Sequence, residues 1–152
     1  MEGKLKHVTE VRVRYGETDQ MGFCYYGNYA QFLEVARVEL LRSKGVSYKA
    51  LEAEGILLPV RTFSIKYIAP SKYDDLLKIE TEIIKIQSSR IEFSYVIRDQ
   101  NSTLIATANT ELVFVDSQSI KPTKAPSKFI NIKRKKKNIN DPSESTLCAH
   151  ST

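Results

Sequence analysis

The chain has little histidine, little cysteine and no long apolar run, and each absence removes a class of function. Only His7, ahead of the first predicted strand, and His150, near the C-terminus, occur among 152 residues. Ser-His-Asp and Cys-His catalysis both need a positioned imidazole to take the nucleophile's proton. Neither histidine suits that task, and a hydratase using histidine as base is disfavoured for the same reason. Cys24 and Cys148 lie far apart and form no metal-ligand or redox spacing. Zinc coordination and a disulfide framework therefore both fall away. There is no P-loop and no GxGxxG. No stretch approaches the roughly 20 consecutive apolar residues of a membrane span. The opening MEGKLKHVTEVRVRY holds no apolar run that could act as a signal peptide. The expected location is the cytoplasm, without stable membrane insertion.

What is present describes one globular domain. Hydrophobic residues make up 41% and charged residues 27%, enough apolar side chains for a core in a chain of this length. The net charge of +5 is uneven: residues 131–152, with the run KRKKK, carry +3, and residues 1–130 carry +2. Residues 1–130 are expected to form the domain and residues 131–152 a basic, disordered tail. Clustered lysines can hold nucleic acid or an acidic membrane surface. No aromatic residue interleaves these to stack on bases, so a solvated end is expected and no nucleic-acid partner.

Periodicity supplies the elements. In VTEVRVRY, Val11, Val13 and Tyr15 alternate with Arg12 and Arg14, as in a strand. Turn-rich sequence follows, with Gly16, Asp19, Gly22, Gly27 and Asn28. A helix is predicted from about Asn28, its cap, to Lys44, with Gly45 ending it. Its apolar residues scatter around most of the circumference, which predicts burial nearly all round. A shorter helix spans Ser47 to Gly55. Strands are predicted over 57–69, 74–87, 90–99 and 103–116, with Ser88–Ser89 and Gln100–Ser102 as hairpin turns. After Lys121, Pro122 and Pro126 suggest a linker leading to the tail. The sum is α+β: one antiparallel sheet curled around one helix.

With histidine and metals set aside, carboxylates remain. Glu17 and Asp19 lie between the first strand and the helix; Glu34 and Arg37 lie within the helix. The connection can bring Asp19 near the helix N-terminus, where unpaired N–H groups and the helix dipole favour negative charge. An anion formed in a reaction would be stabilised there. Asp19 equally suits an Asx-turn or a cap. Glu17 reads as a structural charge, Glu34 and Arg37 as a structural pair, and Cys24 as a small apolar filler. Tyr25, Tyr26 and Tyr29 can line a pocket or pack a core.

The segment VRYGETDQMGFCYYGNYAQFLEVARVELLRSKG, continued by SIKYIAPSKYDDLLKIETEI, resembles the 4-hydroxybenzoyl-CoA thioesterase-like, hot-dog-fold acyl-CoA thioesterases. The resemblance covers about residues 8–120 and rests on an ordered set: Tyr, Thr-Asp, Gly, an aromatic pair, Asn-Tyr, then Glu and Ala-Arg. It implies a five-stranded antiparallel sheet around a long helix. It also implies sheets paired edge to edge as a homodimer, often further assembled as a homotetramer, with active sites at the subunit interface. By resemblance Asp19 is the catalytic carboxylate, either attacking the thioester carbonyl or activating a water. The backbone N–H of Tyr26 is the donor to the thioester oxygen. Tyr25, Asn28 and Tyr29 shape the acyl pocket and hold the loop. Lys66, Lys72, Arg90 and Ser89 are candidates to meet the CoA moiety. Many relatives carry histidine at the position of Tyr26; a backbone donor survives that exchange, but an imidazole's proton transfer does not.

The expected activity is acyl-CoA hydrolysis to free acid and CoA, with no metal or redox cofactor. The alternatives are hydrolysis of acyl groups on acyl carrier protein and a non-catalytic acyl-CoA-binding module.

Overall fold

The computed structural model describes residues 5–132. The Lys-rich run and the rest of the expected tail from residue 133 onward lie outside the described residues; the tail's first two residues, 131 and 132, are described and are helical. Among the described residues the elements follow the order β1 (Lys6–Arg12), α1 (Tyr29–Ser43), α2 (Tyr48–Ala53), β2 (Ile56–Leu57), β3 (Val60–Tyr67), β4 (Leu76–Gln87), β5 (Arg90–Arg98), β6 (Leu104–Val113) and β7 (Val115–Asp116), with a last helical segment over 127–132. Five strands form one antiparallel sheet in the order β1-β4-β5-β6-β3; β2 and β7 form a separate pair. The predicted α+β architecture is the one observed.

Alternation builds the sheet's inner face. Ile91, Phe93, Tyr95 and Ile97 of β5 and Leu77, Ile79 and Ile83 of β4 are all buried, as period-two spacing requires. A bulge between Ile83 and Lys85 shifts the register, so Ile84 turns outward and Ile86 inward. Ser88, at φ 57°, makes the β4–β5 turn. At the β5–β6 turn, Asp99 Oδ1 accepts from the N–H groups of Asn101 and Thr103 at 2.9 and 3.0 Å.

Two predicted strands are broken. The run over 57–69 divides at Pro59, which cannot donate to a ladder, into β2 and β3. The run over 103–116 divides at Phe114, whose N–H leaves the sheet to reach Ser89 O at 2.8 Å. The first strand ends at Arg12 rather than Tyr15, because Tyr15–Glu17 forms a 3₁₀ turn.

The helix α1 packs on β1 and β4 through Tyr29, Phe32, Leu33, Ala36, Leu40 and Leu41. Burial all round is not observed: Ala30 and Val35 are exposed. The linker expected after Lys121 is also replaced by packed structure. Residues 127–132 are helical, and Phe129 and Ile132 are buried. The Phe129 ring meets Phe114 edge-on at 4.8 Å, so apolar spacing overrides the signal of the prolines.

The two edge strands of the sheet, β1 and β3, contain no buried residue, and β3 is the more exposed along its length. Its Val60, Phe63 and Tyr67 are each more than 40% exposed.

Candidate active site

The turn between β1 and α1 is built by its polar residues. Glu17 is buried and bound by Arg14 three times: Oε1 accepts from the Arg14 N–H at 2.7 Å, and Oε2 accepts from Nε and Nη2 at 3.2 and 2.9 Å. The Glu17 carbonyl accepts from Tyr25 N–H and from Asn28 Nδ2, both at 2.8 Å. Asn28 therefore ties the loop to the helix entrance rather than capping it; its side chain makes no cap hydrogen bond. Glu17 is structural, as its position suggested.

Asp19 makes the Asx-turn that aspartate beside glycine favours. Its Oδ1 accepts from Met21 N–H at 2.9 Å and Phe23 N–H at 3.2 Å. Its own N–H donates to Phe23 O at 2.8 Å. These bonds orient the carboxylate and engage one oxygen; Oδ2 has no hydrogen-bond partner among the described residues. The two functions weighed for Asp19 are thus compatible in one side chain. A bridge between Thr18 and Cys24 folds the loop back on itself, setting the residue before Asp19 against Cys24, two positions ahead of Tyr26.

The helix entrance is a 3₁₀ turn, Tyr26–Asn28, running directly into α1. The Tyr26 N–H, at its start, has no hydrogen-bond partner among the described residues, as expected of a first-turn donor. Tyr25 and Tyr26 are exposed, with ring centroids 4.8 Å apart. The Tyr67 hydroxyl donates to Tyr26 O at 3.1 Å, joining the end of β3 to this turn. A Cβ on Gly27 would lie 2.8 Å from the Tyr25 ring, so glycine lets that ring fold over the turn.

Behind the loop, Tyr29 is buried, and its hydroxyl shares a 2.7 Å hydrogen bond with the fully buried Ser71. Burial pushes the Tyr29 phenol up to about 12, against a smaller lowering from Ser71. Burial likewise raises the Cys24 thiol. Ser71 O accepts from Cys24 N–H at 2.8 Å, so the segment before β4 supports the loop. Sequence reasoning missed Ser71; the only signal was a small polar residue after Pro70.

The remaining candidates divide between two ends of the molecule. Lys72 is bridged to Phe23 and lies beside the loop. Lys66 is exposed next to Tyr67, on the opposite face of β3 by strand alternation. Ser89 and Arg90 sit at the β4–β5 turn, seven residues from Ile97 along β5, or about 23 Å at strand rise from the end of the sheet that carries Tyr67. There they border a groove of about 350 Å³ with Lys85, Gln87, Glu92 and Glu111, and Arg90 pairs with Glu111 at 3.5 Å. The expected Glu34–Arg37 pair does not form: Glu34 is exposed, while Arg37 is buried without a carboxylate partner among the described residues. The described residues contain no group of three or more His, Cys, Asp or Glu that could hold a metal, and none of their helices is long and apolar enough to cross a membrane.

An antiparallel five-stranded sheet with one long helix against it, entered through an anion-favouring turn, defines the hot-dog class of thioesterase folds. The family comparison agrees over most of the chain: the model of the thioesterase-like superfamily matches residues 13–132. The chain belongs to the thioesterase-like superfamily and is by class a thioester hydrolase. It is 37% identical to the acyl-CoA thioester hydrolase YbgC of Escherichia coli O157:H7 over 120 residues, covering 79% of this chain and 90% of that one. Over 113 residues it is 34% identical to the putative acyl-CoA thioesterase YneP of Bacillus subtilis, covering 74% and 82%. Among solved structures, the DHNA-CoA thioesterase of Staphylococcus aureus superposes with a TM-score of 0.84 at 31% identity, covering 89% of this chain and 93% of that one.

Proposed function

We propose that the protein hydrolyses acyl-CoA thioesters at the β1–α1 turn, with Asp19 as the reacting carboxylate and Tyr26 N–H as the oxyanion donor. The observation that carries this reading is the pairing of an oriented carboxylate, free at Oδ2, with an unpartnered N–H at the start of a helix. The thioester oxygen accepts from Tyr26 N–H. Asp19 then attacks the carbonyl carbon, or takes a proton from a water that does. Negative charge moves onto the oxygen, where the N–H and the helix dipole stabilise it. Collapse expels the CoA thiolate, which leaves as thiol after taking up a proton. Where Asp19 itself attacks, water then hydrolyses the acyl–Asp19 anhydride and frees the carboxylate; where water attacks, it supplies the OH of the acid directly. Tyr26 contributes its backbone to this scheme, so its phenol in place of imidazole does not interrupt it.

The binding site is completed by a second copy. The open edge of β3 is a strand awaiting a partner, and two-fold pairing of β3 with itself runs the strands antiparallel. The β4–β5 turn of one protomer then approaches the β1–α1 turn of the other. Arg90 and Ser89 meet the CoA moiety in trans, Lys72 and Lys66 in cis.

The test is thiol release from a panel of acyl-CoAs. Asp19→Asn keeps size and turn hydrogen bonding but removes the charge, and should lower kcat at least about a hundredfold in a protein that still folds. Near-wild-type turnover by Asp19→Asn would remove Asp19 from the chemistry.

A further inference from the structure

The N–H of Tyr26 is aimed by the carbonyl bonds around it. It shares its peptide with Tyr25 O, which accepts from Asn28 N–H at 3.0 Å, and Tyr25 N–H donates to Glu17 O at 2.8 Å. On the other side, Tyr26 O accepts from Tyr29 N–H, closing the 3₁₀ turn, and from the Tyr67 hydroxyl at 3.1 Å. All but the last of these bonds form inside the segment 17–29. Among the described residues, Tyr67 makes the one hydrogen bond that ties the Tyr26–Asn28 turn to the sheet. A 3₁₀ turn needs such a tie, because its own hydrogen bonds are poorer in geometry than those of an α-helix.

Tyr67 is placed for this contact from several directions. It is the last residue of β3. Just beyond it, the N–H groups of Ile68 and Ala69 both reach Ile105 O, at 2.8 and 3.1 Å. That shared acceptor marks a bulge, a device that re-aims side chains beside functional sites. The Tyr67 ring stands edge-on to those of Tyr26 and Tyr29, with centroids 6.1 and 5.5 Å away, so two neighbours brace the ring that delivers the hydroxyl. Partial burial, with smaller contributions from Tyr26 and Cys24, raises the Tyr67 phenol and so keeps the proton that the bond to Tyr26 O requires. A donor that drifts costs the transition state more than the bound substrate, because charge on the thioester oxygen grows only as the carbonyl is attacked.

We propose that Tyr67 is a positioning residue for thioester hydrolysis: its hydroxyl, through Tyr26 O, holds the turn so that the Tyr26 N–H meets the oxygen on which charge develops. The assignment rests on the thioesterase reading above and extends its machinery to the end of β3, 41 residues along the chain from Tyr26.

The experiment measures kcat and KM of wild-type protein and Tyr67→Phe with the best substrate of the acyl-CoA panel. Alongside it runs the Kd of the matching S-alkyl-CoA, a thioether that lacks the carbonyl. Tyr67→Phe keeps the ring and loses one neutral hydrogen bond, so kcat should fall about fivefold or more. An interaction that acts only in the transition state leaves KM and the thioether Kd within about twofold of wild type. A merely structural role would instead lower Tm and weaken thioether binding along with turnover. A smaller fall in kcat, or a fall matched by equal weakening of thioether binding, would overturn this assignment alone, with Asp19→Asn still inactive. Failure of wild-type protein to hydrolyse any acyl-CoA would remove the thioesterase reading and this inference with it.

Discussion

Tyr29 shows how the support of a site can be chemically distinct from its reacting groups. Its ring is buried beside Phe32 and Tyr67, and its hydroxyl holds Ser71. The phenolate form is excluded by burial, which moves the titration up to about 12 from the ordinary 10. The sign of the consequence is fixed: between those values the unfolded chain loses its Tyr29 proton first, so unfolding is favoured as pH rises. The stabilising contribution is complete below pH 10 and is lost as pH climbs through about 12. Tyr29→Phe should therefore show a shallower fall in Tm than wild-type protein across that alkaline window, measured by thermal melts at matched ionic strength. Equal slopes would mean that other buried phenols, such as Tyr48 and Tyr95, carry the whole effect. At this scale the sequence was informative about type and silent about partner. An Asn-Tyr pair after glycine marked a helix entrance, but Ser71 is 42 residues away and no local pattern joins it to Tyr29. Arg37 was equally hidden, since spacing on a helix favoured Glu34 whereas burial aims the guanidinium at residues from α2 and β5.

Elements were legible where their period was long and their faces were unequal. β4, β5 and α1 declare themselves by alternation or by helical spacing, and their observed limits fall within a few residues of those predicted. The failures have physical causes. Pro59 divides a run that is otherwise β-rich, and Phe114 diverts its N–H to Ser89. The segment after Pro126 was read as linker because prolines mark loops, yet it delivers Phe129 and Ile132 into the core. Phe129 is fully buried against Phe114, and truncating such a ring removes both transfer energy and packing. Phe129→Ala should cost about 3–5 kcal/mol, read as a lower midpoint in urea with an unchanged slope. A loss under about 0.5 kcal/mol, the level of an ordinary surface substitution, would show that the 127–132 segment does not seal the domain.

In the whole molecule, the least predictable property is which surfaces are incomplete. Apolar residues around all of α1 signalled complete burial, but one chain buries only part of them and leaves Ala30, Val35 and the β3 edge open. Composition cannot reveal what covers the rest, for which a second copy is the proposal above; it shows only an excess of apolar surface. A composite site makes a decisive prediction, because Asp19 and Arg90 lie at opposite ends of one protomer. Asp19→Asn should be inactive, and Arg90→Ala should raise KM for the CoA thioester. When the two variants are co-refolded at equal amounts, half of the dimers are mixed. In each mixed dimer one site combines an intact Asp19 with the intact Arg90 of the other protomer. Below the KM of Arg90→Ala, the mixture should then recover toward roughly a quarter of wild-type activity, exceeding the average of the two parent variants. If Arg90 served the site of its own protomer, neither site of a mixed dimer would be whole and mixing would give no gain. Subunit exchange followed by an activity assay thus separates trans from cis supply, and a sedimentation measurement on the same samples fixes the number of protomers that share the site.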